Sequence, residues 1–267
     1  MIAKALTDGM DTTLPPMSTE DYEEQRAQWA NETIGSLPGP HCPGCNDKGY
    51  IFERRGVELV SVECCCMKKR RSIWNMKKSG LGDMLERYTF DRFQTLEPWQ
   101  QAAKQSALDY LSDHAGKWFV ATGNPGSGKT HLCTAICGGL LNAGLEVRYM
   151  LWRDSATRIK AVVNDSEAYS DLLEPLKRVQ VLYIDDFLKS AKDDRGNAKV
   201  TAGDFNLAFE LLNARYNSEK LVTIISTELS IEQILDVDEA VGSRIFERSK
   251  GYYLRFKGKG KNWRMRT

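Results

Sequence analysis

Short apolar runs alternate with helical patterns over the C-terminal two thirds of the chain. The apolar runs lie at 118–122, 147–151, 181–184 and 221–225, and helical patterns lie at 99–111, from 152 to 160 and at 205–216. Short apolar runs with polar ends are typical of strands buried on both faces, and their alternation with helices is typical of a parallel sheet. We therefore predict one α/β domain over residues 83–267, with a right-handed parallel sheet and helices on both faces.

Two shorter parts precede this domain. Residues 1–36 are acidic, and a capping box at Ser18 predicts helical content that is compatible with either a docking helix or a loosely ordered arm. Residues 37–82 hold a cysteine-rich module and then the basic segment 67–78, which we predict to be a linker helix. A contact with nucleic acid or an acidic protein and a solvated surface are both compatible with that segment. We place the boundary at Gly80–Gly82.

The strongest motif follows the first apolar run and opens the next helix. Residues 123–130 fit the pattern G-x-x-x-x-G-K-[ST], in which glycines let the backbone turn and aim its N–H groups at phosphate. Lys129 would reach the β- and γ-phosphates, and Thr130 would place its hydroxyl on Mg²⁺. A turn that binds nothing is the alternative. The predicted nucleotide contacts are Gly123, Asn124, Pro125, Gly126, Ser127, Gly128, Lys129, Thr130 and His131.

A pair of aspartates supports the same prediction. Asp185 and Asp186 end the apolar run at 181–184, and the carboxyl ends of parallel strands are where ligand sites of α/β sheets lie. We predict that Asp185, with Thr130, holds Mg²⁺ or its water, and that Asp186 orients the attacking water as a general base. A simple turn is the alternative explanation for an Asp-Asp pair.

The cysteines predict a structural zinc site. A C-x-x-C knuckle is followed, after eighteen residues, by three consecutive cysteines, a separation that suits a hairpin bringing four thiolates together. Neighbouring cysteines point in different directions, so Cys65 is the expected spare, although His41 is an alternative ligand. Free or buried cysteines without metal are the competing interpretation. The predicted ligands are Cys42, Cys45, Cys64 and Cys66.

Charge and hydropathy bear on partners and compartment. The net charge is +1, but residues 1–33 carry seven acids against two bases, whereas 244–267 carry nine bases against Glu247 alone. Such a basic tail is either a polyanion contact or simply solvated. The chain has no apolar run of eighteen residues and no secretory signal pattern, which predicts a cytoplasmic protein with no membrane partner. Cys133 and Cys137 are expected in the core.

Four motifs together resemble a known family. They are G-x-P-G-x-G-K-T-H-L from Gly123, V-L-Y-I-D-D-F from Val181, N-A-R-Y from Asn213 with T-I-I-S-T-E from Thr223, and G-S-R-I-F-E-R from Gly242. In this order, over roughly residues 86–266, the chain resembles the DnaC/DnaI family of AAA+ ATPases, the bacterial and phage helicase loaders. The cysteine module also resembles the zinc-bearing N-terminal domain of the DnaI branch.

This resemblance implies a cytoplasmic ATPase that uses ATP/ADP, Mg²⁺ and Zn²⁺. It implies binding to a DnaB-type replicative helicase hexamer through the N-terminal region, placement of that helicase on single-stranded DNA, and self-association through AAA+ interfaces. Ser226 and Thr227 would sense the γ-phosphate, next to Glu228 where the family often has Asn. Arg244 would be the arginine finger offered to a neighbouring subunit, with Arg248 as the second candidate and a reduced lid after it.

Contacts with single-stranded DNA in such a ring would be basic and independent of sequence. Trp152 is expected either to stack on bases or to lie in the core. The candidate basic residues are Arg153, Arg158 and Lys160, followed in the tail by Lys257, Lys259, Lys261 and Arg264.

Three other functions stay open. A transposition helper of the IstB type shares this ATPase core but generally lacks a cysteine ribbon. A small-molecule kinase would need an acceptor pocket and a substantial lid, neither of which the sequence provides. The third is a nucleotide-dependent adaptor that hydrolyses almost no ATP, and it overlaps with the loader function, since a loader can work chiefly as a switch.

Overall fold

The computed structural model describes residues 18–56, 58–78, 81–189 and 200–258. The chain forms two compact units that divide between Arg70 and Arg71. The predicted division at 36/37 and 82/83 stays a prediction, and the tail candidates Lys259, Lys261 and Arg264 lie outside the described residues. Within the described part, no helix has the length and apolar character that a membrane span requires.

The first unit consists of a helix packed on a β-hairpin. Ser18 caps the helix by accepting a hydrogen bond from the Asp21 N–H, and the Asn31 side chain near its C-terminal end exchanges two hydrogen bonds with the Phe52 backbone, at 2.9 and 2.8 Å. The helix over the acidic segment is therefore an integral part of the unit. The elements are α1 (Thr19–Glu32), β1 (Tyr50–Arg55), β2 (Glu58–Glu63) and the start of α2 (Cys66–Lys78).

The second unit alternates helices and strands. It begins in α2 and continues with α3 (Gly82–Arg87), α4 (Pro98–Asp113), β3 (Phe119–Gly123), α5 (Lys129–Asn142), β4 (Val147–Leu151), α6 (Trp152–Ala161), α7 (Ser166–Arg178), β5 (Val181–Asp185), α8 (Ala202–Tyr216), β6 (Val222–Thr227), α9 (Ile231–Val237), α10 (Glu239–Arg248) and β7 (Tyr253–Phe256). The predicted α/β fold with a parallel sheet is confirmed.

In the described part of the second unit the sheet has five strands, all parallel, in the order β4-β5-β6-β3-β7. Residues that alternate along β3 and β5 enter two separate apolar clusters, so the sheet is covered on both faces. The carboxyl ends of β3, β5 and β6 meet at one edge of the sheet, because the three strands are parallel neighbours. This edge carries the phosphate loop and the aspartate pair.

Arg215 joins the elements on one side of the sheet. Its fully buried guanidinium donates to the carbonyls of Leu176, Val179 and Val222, at 2.9, 2.8 and 2.6 Å, and to the Thr223 hydroxyl at 3.0 Å. These bonds give charged donors to carbonyls at the end of α7, directly after it and at the start of β6. Arg215, the arginine of the N-A-R-Y motif, therefore has a structural role, because it connects α8 to the end of α7 and the start of β6.

Candidate nucleotide site and cysteine cluster

The phosphate loop connects β3 to α5 through three glycines with positive φ. Gly123, Gly126 and Gly128 have φ values of 121°, 71° and 92°. A Cβ on Gly123 would lie 2.3 Å from the Phe256 carbonyl oxygen, so only glycine fits where β3 passes β7. Gly128 is the N-cap residue of α5, and the loop therefore leads directly into a helix N-terminus, which favours a bound anion.

Lys129 lies folded over its own loop. Its ammonium group donates to the Gly123 and Asn124 carbonyls, both at 2.8 Å. Burial lowers the pKa of Lys129. A nucleotide phosphate in the loop would offer this cation a stronger, charged acceptor than either carbonyl.

Asp185 is the centre of a hydrogen-bond network at the sheet edge. The Thr130 and Tyr149 hydroxyls donate to its two carboxylate oxygens, each at 3.2 Å, and the Ser226 hydroxyl also donates to it. The hydroxyl of Thr130 and the carboxylate of Asp185 are thus adjacent, as predicted. Hard oxygen atoms of this kind fit Mg²⁺, which keeps several waters and takes few protein ligands.

Asp186 lies in the cleft with a lysine and a second acid. The Lys189 ammonium is 3.1 Å from Asp186 Oδ2 and 2.9 Å from Glu228 Oε1. The backbone of Asp186 is left-handed, with a φ of 52°, and its N–H donates to Asp185 Oδ1 at 3.1 Å. The carboxylate of Asp185 therefore accepts from three hydroxyls, whereas that of Asp186 contacts Lys189, so the two neighbouring aspartates can have different roles.

Aromatic side chains form one wall of the cleft, whose volume is about 350 Å³. The His131 ring stacks on Tyr88 with centroids 4.8 Å apart and meets the edge of Phe93 at 5.2 Å, while its Nε2 bonds the Thr89 carbonyl at 2.8 Å. Burial lowers the pKa of His131, which favours the neutral ring. Lining residues absent from the sequence prediction are Tyr88, Arg92, Phe93, Gln94, Gln100, Lys189 and Glu228.

The predicted sensor residues and arginines lie outside this lining. Ser226 and Thr227 are buried in β6, where Thr227 donates to the Phe187 carbonyl at 2.8 Å. Arg244 donates to Asn213 Oδ1 at 3.1 Å and to the Ala240 carbonyl at 2.7 Å. In the same helix Arg248 bonds the Ser218 carbonyl at 2.7 Å. Their assigned roles stay predictions.

The DNA candidates have different environments. Trp152 is only 1% exposed and packs edge-on against Phe187, with centroids 4.9 Å apart, so it belongs to the core. Lys160 forms an ion pair with Asp204. Arg153 and Arg158 are exposed on α6, and Lys257 is exposed after β7. Two basic side chains of α6 are therefore available for a polyanion.

Four cysteines converge in the first unit. Their Sγ atoms all lie within 4.8 Å of one another, with Cys42 to Cys64 at 3.8 Å and Cys45 to Cys66 at 3.6 Å. Thiolates about 2.3 Å from a tetrahedral zinc ion are about 3.8 Å from one another. The four residues therefore fit the predicted metal. The Gly49 N–H donates to Cys45 Sγ at 3.3 Å.

The alternative ligands point elsewhere. Cys65 is exposed, and His41 Nδ1 is 2.8 Å from Asp47 Oδ2. The buried Arg70 guanidinium donates to Asp47 Oδ1 at 2.6 Å. It also donates to the Leu37 carbonyl at 3.0 Å, in the segment that precedes the first cysteine. Asp47 and Arg70 thus hold the loop that carries the first two cysteines.

Comparison with known proteins places this chain among ATP-binding proteins. The family model described as "IstB-like ATP binding protein" matches residues 48–266. A Bacillus subtilis relative, "Phage-like element PBSX protein XkdC", is 31% identical over 229 residues, covering 81% of this chain and 82% of the relative.

Two further similarities concern replication proteins. "Replicative helicase loader DnaC" of Escherichia coli K12 is 29% identical over 123 residues, which cover 45% of this chain and 49% of that protein, so the match spans about half of it. The crystal structure of the DnaC helicase loader superimposes with a TM-score of 0.54 at 22% identity, covering 65% of this chain and 99% of that one, and shows a shared fold.

Proposed function

We propose that this chain, which belongs to the IstB-like ATP-binding protein family, is an ATP-dependent loader of a DnaB-type replicative helicase. The observation that carries the proposal is the four-cysteine unit that precedes the ATP-binding domain. The DnaI branch of the loaders resembles this arrangement, and transposition helpers of the IstB type generally lack it. The partial match to the replicative helicase loader DnaC supports the same function.

ATP hydrolysis would use residues already adjacent in the cleft. Lys129 exchanges its two loop carbonyls for β- and γ-phosphate oxygens, while the loop amides and the α5 N-terminus hold the remaining charge. Thr130 and Asp185 would hold Mg²⁺, which neutralises the developing charge on the phosphates. Asp186 orients the attacking water and accepts its proton.

Arg244 is suited to act on a nucleotide held by another subunit. Its guanidinium lies over the Phe209 ring, 4.9 Å from the centroid, and near Tyr216 at 5.5 Å, while Asn213 fixes its orientation. A guanidinium held in this way loses little freedom when it meets a phosphate. Self-association would then make hydrolysis depend on assembly. Arg248, on the same helix, is the second candidate for this position.

The first unit would dock on the helicase. Its exposed apolar side chains include Trp29, at 72% exposure, and Ile34, at 80%. Single exposed apolar side chains are common on any protein surface, but several within one short segment are typical of a protein interaction surface, where tryptophan is a common anchor. The exposed Arg153 and Arg158 of the second unit would contact the single-stranded DNA backbone.

A transposition helper is the second candidate, because the matching family model is IstB-like. It would deliver a transposase rather than a helicase to DNA. The nucleotide chemistry would be the same, so the protein partner separates the two functions.

Size-exclusion chromatography with light scattering tests the proposal. Wild-type protein mixed with the replicative helicase of the same organism should form a stable complex with ATP, and a Trp29→Ala/Ile34→Ala variant should lose it. The matched control is Val163→Ala/Val237→Ala, which removes two exposed apolar side chains from the second unit and should keep the complex. Absence of a wild-type complex with either ATP or ADP would favour the transposition helper.

A further inference from the structure

Lys189 lies in the nucleotide cleft between two carboxylates, those of Asp186 and Glu228. All three side chains line the cleft together with the phosphate loop. Burial opposes the charge on Lys189, but hydrogen bonds to Glu228 and Asp186 outweigh it and raise the pKa of the ammonium group. One positive charge therefore compensates one of two negative charges at this side of the cleft.

The backbone around Lys189 is fixed by the core. Phe187 and Leu188 are fully buried, and the Phe187 N–H donates to the Ser226 carbonyl at 2.8 Å. Leu188 is left-handed, with a φ of 57°, and the Lys189 N–H turns back to the Asp186 carbonyl at 2.9 Å. A branched side chain in this conformation persists only where the surroundings impose it, and such residues gather at functional sites. Lys189 is thus built into the cleft.

The charges of the cleft should make its affinity for a nucleotide depend on whether the nucleotide carries a γ-phosphate. The γ-phosphate of a nucleotide in the loop would face Asp186, whose proposed role is to orient water for attack on it. Two uncompensated carboxylates would repel the γ-phosphate of a triphosphate. A diphosphate has no γ-phosphate and would meet less of this repulsion. In the empty cleft Lys129 donates to its loop carbonyls, and among the described residues Lys189 is the lysine that contacts both acids.

We propose that Lys189 determines specificity for nucleoside triphosphate over diphosphate at this site, with Asp186 and Glu228 as its partners in the empty cleft. This inference rests on the proposed nucleotide-binding function, and it is independent of which protein the chain delivers to DNA. When the triphosphate binds, the γ-phosphate competes with both carboxylates for the ammonium group. A diphosphate offers no such competitor, so the three-residue pairing stays in place.

Calorimetric titration with Mg·ATP and with Mg·ADP tests the proposal. Lys189→Ala should weaken ATP binding about tenfold, the size of one charge-assisted hydrogen bond, and change ADP binding less than about twofold. Lys189→Arg should restore most of the ATP affinity. The matched control is Lys177→Ala, which removes a lysine that also bridges two carboxylates, Glu174 at 3.2 Å and Glu210 at 2.7 Å, outside the cleft lining. It should leave both affinities unchanged.

Glu228→Gln provides a second, nearly isosteric variant. Because it removes one repelling charge, it should strengthen ATP binding relative to ADP binding, both alone and in the Lys189→Ala background. Equal weakening of ATP and ADP by Lys189→Ala, or an unchanged affinity ratio in both variants, would overturn the proposal while the nucleotide-binding function stands. Wild-type protein that binds neither nucleotide would overturn both. Normal nucleotide selection without a helicase complex would refute only the loader function.

Discussion

Removal of zinc should unfold the first unit and leave the second unit folded. The buried apolar side chains of the described residues before Arg71 are Ala27, Cys45 and Cys64, and neither large apolar cluster includes any of them. Burial of side chains this small contributes about 1 kcal/mol each. Structural zinc in small domains contributes about 10–16 kcal/mol at neutral pH. The metal would therefore supply most of the stability of this unit.

The surroundings of the four thiols differ, because burial raises the pKa of Cys64 and of Cys66, whereas the pKa of Cys45 is lowered. Burial opposes ionisation of Cys45, but the Gly49 amide and the neighbouring thiols outweigh it and lower the pKa of the thiol to about 7. Loss of the metal would leave the described residues of the first unit as a hairpin and one packed helix, with few buried apolar side chains. A loss of about 10 kcal/mol approaches the total stability of a typical domain.

Hydrogen exchange with mass spectrometry is the assay. After chelation, peptides within residues 18–63 should lose protection, whereas peptides of β3 and α5 should keep it. Cys45→Ser should have the same effect without chelator, and Cys65→Ser is the matched control that should not, since its side chain is exposed. One zinc ion per chain is expected by elemental analysis. Metal-free protein with undiminished protection over residues 18–63 would show that zinc does not stabilise this unit.

Three substitutions test other parts of the account. Arg215→Met should lower the free energy of unfolding by about 3–5 kcal/mol, because buried carbonyls lose their donor; a loss below about 1 kcal/mol in chemical denaturation would contradict this. Asp186→Asn should keep ATP affinity within about threefold and slow phosphate release about 100-fold, and equal turnover would exclude it as the base. Arg244→Ala should spare ATP binding by isolated subunits yet lose partner-stimulated hydrolysis; a monomer that hydrolyses equally well with either residue would exclude action in trans.

Local patterns predicted the parallel sheet because its strands are short, apolar and buried on both faces. The predicted run at 147–151 coincides with β4, and the run at 181–184 ends one residue before β5 does. The strand β7 was not predicted. It has four residues including Arg255, lies within the basic tail, and becomes a strand by pairing with β3. That pairing is a tertiary contact without a local signal.

In the candidate site, too, contacts that depend on the tertiary fold have no local signal in the sequence. Motif spacing predicted the phosphate loop and Asp185, and the structure brings Thr130 of the loop next to Asp185, while their roles stay predictions. Glu228 and Lys189 meet because β5 and β6 are parallel neighbours that end at the same sheet edge, so only the strand order brings them together. Spacing also suggested four cysteine ligands, and the hairpin register brings the two clusters together by pairing Tyr50 with Glu63.

Loading of the replicative helicase onto DNA tests the central proposal most directly. Unwinding of a forked substrate covered by single-strand binding protein would be followed by fluorescence, with helicase present at a fixed concentration. Wild-type protein with ATP should accelerate the onset of unwinding, whereas the Lys129→Ala and Trp29→Ala/Ile34→Ala proteins should not. Onset unaffected by the wild-type protein, with ATP binding intact, would contradict the loader function.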